Sequence, residues 1–133
     1  MKTALLLIAH GSRQADANAD LYHVADVLRD RAVGDIVLAS FLELTEPDII
    51  EGGKRCVAAG AERVVLLPYF LSAGTHVRRD LTEAHARLAE MFPRVCFHLA
   101  EPLGRHPLLV DVVVERLREV LEAGARAESD AGE

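Results

Sequence analysis

Residues 4–13 read Ala-Leu-Leu-Leu-Ile-Ala-His-Gly-Ser-Arg, and this stretch decides the fold. Ala4 to Ala9 is an unbroken apolar run, short and rich in Leu and Ile. It does not alternate with polar residues, as a strand with one wet face would. A continuous run of this length is how a strand reads when both faces of a parallel sheet are covered. At His10 the run stops, and small and polar residues follow.

Working outward, three further apolar runs stand at Ile36–Leu42, Val64–Leu71 and Val95–Leu99. Helical patterns lie between them. Leu21, Val24, Ala25, Leu28 and Ala32 repeat at three and four. Pro47 suits a first helical position, followed by the stripe Ile49, Ile50, Gly53 and Val57, with Gly60 at the exit. Val77, Leu81, Ala84, Leu88 and Met91 form another stripe, with Pro93 beyond its end. Pro107 opens a last helix with Leu109, Val113, Leu117 and Val120 on one face. From Gly124 the chain is small and polar, so residues 124–133 are expected to be a disordered tail. The order is βαβαβαβα. It predicts an α/β fold: a four-stranded parallel sheet with helices on both faces and right-handed crossovers. The expected strand order is the flavodoxin-like 2-1-3-4, in one domain over residues 1–123.

Composition narrows the function. A chain of 133 residues with 15 Lys+Arg against 21 Asp+Glu has a formal net charge of −6, which disfavours nucleic acid as a partner. Aromatic residues make up only 5% and Trp is absent, so base-stacking platforms are not expected. Cys56 and Cys96 are too far apart for a CxxC motif and read as buried, reduced thiols of a cytoplasmic protein. The first residues imitate a short signal peptide but lack a clear small-x-small cleavage site, and a buried strand explains them better. No run approaches the ~20 apolar residues of a membrane span.

In an open α/β sheet, ligands bind beyond the carboxyl ends of the strands, where strand order reverses. For order 2-1-3-4 that point lies between strands one and three. His10-Gly11-Ser12-Arg13 follows strand one, and Leu71-Ser72-Ala73-Gly74-Thr75-His76-Val77-Arg78-Arg79 follows strand three. Glu43 and Glu46 follow strand two, and Glu101, Arg105 and His106 follow strand four. Each position also has a plain reading. His10 fits a strand–helix turn, His76 a solvated first turn, and Glu43 and Glu46 the negative start of a helix. His106 before Pro107 reads as a turn residue, His23 and His85 as solvated, and His98 as a core or edge histidine. Two facing imidazoles suit a divalent transition metal, and an imidazole also takes up protons near neutral pH.

The segments Leu5–Arg13, Phe41-Leu-Glu-Leu-Thr-Glu-Pro47 and Leu67-Pro-Tyr-Phe-Leu-Ser-Ala-Gly-Thr-His76, followed by Asp80, resemble the small class II tetrapyrrole chelatases. These are the short sirohydrochlorin cobaltochelatases of the CbiX/SirB type. The resemblance covers about residues 1–123. It implies a homodimer that inserts cobalt, nickel or iron into sirohydrochlorin without ATP. The divalent metal is then a substrate, and no permanently bound cofactor is expected. By the same resemblance His10 is the metal-binding and proton-accepting histidine and His76 the second metal-binding histidine. Glu46 and the loop Leu71, Ser72, Ala73, Gly74, Thr75 and His76 match substrate-binding positions, and Glu43 matches an acidic position. The residues at 72–75 vary between subfamilies and leave the metal open. Arg13, Arg78, Arg79 and Arg105 offer a basic rim for the carboxylates of such a ring.

Two other classes share parts of the pattern. A carrier of metal or tetrapyrrole would use the same histidines without turnover. The histidine phosphatases also open on an apolar strand and His-Gly, but an Arg precedes their nucleophile where this chain has Ala9.

Overall fold

The computed structural model describes residues 1–131. Its strands are β1 (Thr3–Ala9), β2 (Ile36–Phe41), β3 (Arg63–Pro68) and β4 (Cys96–Leu99). They form one parallel sheet in the order β2-β1-β3-β4, as read from the sequence. β1 is central, pairing Ala4–Ala9 with Ile36–Phe41 on one side and Thr3–Ile8 with Arg63–Pro68 on the other. The third run was expected to reach Leu71, but the strand stops at Pro68. Its nitrogen has no hydrogen for the ladder. Tyr69 makes the last bond instead, its N–H donating to Ile8 O at 2.6 Å.

Successive residues of β1 serve opposite cores. Leu7 packs with Val37, Ala39 and Phe41 under Leu21 and Ala25 of α1 (Ala15–Asp30). Leu6 and Ile8 pack with Val64, Leu66 and Phe97 under α2 (Ile49–Ala58) and α3 (Thr75–Met91). Burial on both sides explains the unbroken apolar run. α2 lies close on its neighbours: a Cβ on Gly52 would stand 2.9 Å from the Leu6 side chain, and one on Gly53 2.6 Å from that of Leu88.

Pro47 is not the first residue of α2. Asp48 caps that helix, its carboxylate accepting from Glu51 N–H at 2.8 Å, and helix geometry begins at Ile49. Pro47 O accepts from Phe41 N–H at 2.9 Å and ties the loop to the end of β2. A capping carboxylate satisfies a helix-start N–H that proline cannot, which moves the boundary by one residue or two.

Among the histidine and thiol readings, two need correction. His85 is half-buried, with Nε2 2.7 Å from Phe97 O, rather than solvated. Cys56 is buried, and burial pushes its thiol up to about 11. Cys96 is exposed rather than buried. Cys96 and His98 lie on β4, the edge strand, where Phe97 and Leu99 pack against a core, so His98 fits the edge reading.

The chain divides into two compact units, Met1–Pro102 and a second beginning at Leu103. The second unit carries α4 (Pro107–Ala131), which Pro107 opens as expected. Its residues 124–131 continue the helix, where a disordered tail was expected. Ala, Arg and Glu dominate that stretch, and a single Gly costs a helix only about 1 kcal/mol. Residues 132 and 133 of that tail lie outside the described residues. No residue of α4 is buried, and Leu108, Val110, Val113, Leu117 and Val120 are exposed. Among the described residues no helix is long and apolar enough to cross a membrane.

Candidate active site at the carboxyl edge of the sheet

The loop after β1 is fixed at three successive residues. His10 O accepts from Glu43 N–H at 3.1 Å. Gly11 has φ +93, and a Cβ there would stand 1.9 Å from Glu43 O. Only glycine fits such a position, where the backbone is left-handed and a neighbouring carbonyl occupies the side-chain space. Ser12 N–H donates to Asn18 Oδ1 at 2.9 Å, and Asn18 Nδ2 donates back to Ser12 O at 2.7 Å. The exposed His10 ring lies against Phe70, with centroids 4.5 Å apart and planes at 32°. Beside His10 is a cavity of about 290 Å³, lined also by Ser12, Asn18, Asp20, Leu21 and Tyr69. Arg13 is exposed just beyond.

The loop after β2 meets this one. Leu42 N–H donates to Ala9 O at 2.9 Å, which extends the β1–β2 pairing past the strand ends. The exposed Glu43 comes next, then Leu44 at φ +68 in a turn closed by Thr45 N–H to Glu43 O at 2.9 Å. Glu46 departs from the expected cluster. It lines a separate groove of about 470 Å³ with Ile50, Glu51, Lys54 and Arg87, on the α2 side.

The loop after β3 is open. Leu71, Ser72 and Gly74 are exposed, Ala73 is half-buried, and Thr75 begins α3. Gly74 has no side chain to cap that helix. The first-turn N–H groups, those of Thr75 and His76 included, are left for a ligand or solvent. His76 is exposed in the first turn. Arg78 links two loops: Nε donates to Ala73 O at 3.1 Å, and a guanidinium nitrogen stands 3.6 Å from Glu101 Oε2. Arg79 is exposed. Arg105 and His106 belong to the second unit, where His106 Nδ1 accepts from Leu108 N–H at 3.2 Å at the start of α4.

The structure thus sets His10 in the loop after β1 and His76 in the first turn of α3 beyond the neighbouring β3, with Glu43 bonded through its backbone to His10. Among the described residues no three His, Cys, Asp or Glu side chains gather as a metal-holding cluster. Phe70 and Asn18 went unread in the sequence. Phe70 stands two residues past the end of β3, at the expected ligand edge. Asn18 carries a weaker signal: an amide in the first turn of a helix, within reach of the preceding loop.

The CbiX family model matches residues 4–120. The chain belongs to the CbiX family. This CbiX-family chain is 37% identical over 128 residues to the sirohydrochlorin cobaltochelatase of Priestia megaterium, a match that covers 96% of this chain and 42% of that one. It is 29% identical over 123 residues to the sirohydrochlorin cobaltochelatase of Sulfurisphaera tokodaii, covering 92% of this chain and 98% of that one. Its fold superposes on the sirohydrochlorin chelatase SirB from Bacillus subtilis subspecies spizizenii, solved in complex with cobalt, with a TM-score of 0.81 at 30% identity. That match covers 90% of this chain and 51% of SirB. The CbiX-family chain therefore spans about half the length of some relatives and nearly all of others.

Proposed function

We propose that this protein inserts a divalent metal into sirohydrochlorin without ATP, cobalt foremost, with nickel and iron as alternatives. The observation that carries this is the placement of His10. It ends the central strand, rests on Phe70 at 4.5 Å, and borders the loop that leads to His76. Chelation takes one M²⁺ into the ring and releases two pyrrole N–H protons. His10 is the principal base and a transient metal ligand. His76 is the second ligand and acceptor, and Glu43 draws metal or protons toward the edge. Arg13, Arg78 and Arg79, with the N–H groups after Gly74, hold the carboxylate rim of the substrate. Residues 71–75 shape its bed. The metal is a substrate, and no resident cofactor is needed.

The functional domain proposed is residues 1–123, close to the span of the family match. Two copies form a homodimer in the cytoplasm, with neither nucleic acid nor membrane as partner. The lengths support this. Some relatives are about twice as long and others match nearly end to end, a pattern that a pair of short chains standing in for one long chain would fit. A cavity of about 290 Å³ beside His10 is also small for a macrocycle, and a second subunit would deepen it.

The test is turnover. With cobalt and sirohydrochlorin in excess under anaerobic conditions, the visible spectrum is expected to show many product molecules per chain. Uptake that stops at one equivalent would make the protein a carrier and contradict the proposal.

A further inference from the structure

We infer that Asn18 is the positioning residue for His10, acting through a two-bond side-chain clamp on Ser12. The inference rests on the reading of His10 as base and metal ligand.

The loop from His10 to Gln14 carries the reacting imidazole, yet His10 itself is exposed and its ring contacts only Phe70 among the aromatic residues. Something must hold the backbone that aims it. On one side His10 O and Gly11 are seated against Glu43. On the other, Asn18 accepts from Ser12 N–H at 2.9 Å and donates to Ser12 O at 2.7 Å. A primary amide is suited to this, since it offers an acceptor and a donor on one short, rigid group. A carboxylate keeps the acceptor and loses the donor. Gln offers both from a longer arm.

The clamp connects the loop to a helix anchored in the core. Asn18 sits on α1, whose Leu21 and Ala25 are 2% and 0% exposed in the core against Leu7 and Phe41. Asn18, Ser12, His10 and Leu21 all line the same cavity of about 290 Å³. That cavity is the space into which a released His10 loop would relax, away from Phe70. With the clamp in place the ring is held at the edge where the substrate must lie. Bases and ligands tolerate little misplacement, so the clamp governs rate more than substrate affinity.

The test uses the full chain, with two readouts. Asn18→Ala is expected to lower kcat for cobalt insertion about 10- to 100-fold. The KM for sirohydrochlorin should stay within about twofold, since the Arg rim is untouched. Asn18→Asp should fall between the two and stands in for Ala if that variant does not fold. The second readout needs no turnover. The adjacent Phe70 ring is expected to shift the ring protons of His10, and in proton spectra of the free protein Asn18→Ala should move them while those of His76 stay in place. A wild-type kcat in the variants, or a His10 signal that does not move, overturns the inference. If the wild-type protein itself fails to turn over, the chelatase reading falls. The clamp is then judged on the spectra alone, where a moved His10 signal supports it and an unmoved one overturns it.

Discussion

Gly11 and Gly74 sit in the two loops that leave neighbouring strands, and they are used in opposite ways. Gly11 has φ +93, with the Glu43 carbonyl where its side chain would be. Gly74 has an ordinary φ of −73, and a Cβ there would meet nothing within 4 Å. The loop after β1 has one shape, fixed by backbone contacts on one side and the Asn18 amide on the other. The loop after β3 is open, held at Ala73 by Arg78 and otherwise exposed from Leu71 to Gly74. The difference follows the chemistry each would do. A group that takes protons and metal must be placed closely, while a surface that grips a ring by several carboxylates can adapt and share the load.

The largest stability effect tests the rigid side. Gly11→Ala must relieve both the 1.9 Å approach to Glu43 O and the positive φ. It should destabilise the fold by more than about 2 kcal/mol in a denaturant titration, with insertion activity lost as well. Wild-type stability would mean the loop is less fixed than the contacts indicate. Next comes the grip of the open side. Arg78→Glu with Arg79→Glu should raise the KM for sirohydrochlorin about tenfold or more, from loss of charge-assisted contacts, with folding unchanged. An unchanged KM would remove these residues from the rim. The smallest effect should come from Gly74→Ala. With open space at its Cβ it should shift stability by no more than about 0.5 kcal/mol in either direction. A loss as large as that of Gly11→Ala would erase the contrast.

The sheet was legible because β1 is buried on both faces, and only a continuous apolar run does that. The order 2-1-3-4 followed from alternating elements and the rules of right-handed crossover. The carboxyl edge then located His10 and His76 without any knowledge of side-chain geometry. What escaped the sequence depends on contacts between distant segments. Cys96 reads like any strand cysteine until β4 is known to be the edge. Glu46 follows strand two, yet it turns toward Lys54 and Arg87 of a different groove. The Asn18 clamp needs a helix to fold back six residues onto its own loop. Residues 124–131 have a composition poor in apolar residues but rich in helix formers, and the second property prevails in α4.

The most direct measurement is the rate of cobalt insertion into sirohydrochlorin by His10→Ala and His76→Ala, followed by visible absorption at matched folding. His10→Ala is expected to slow turnover by about 100-fold or more, as befits a lost base and ligand, with a smaller loss for His76→Ala. Near wild-type rates in both variants would contradict the assignment of this edge as a chelatase site.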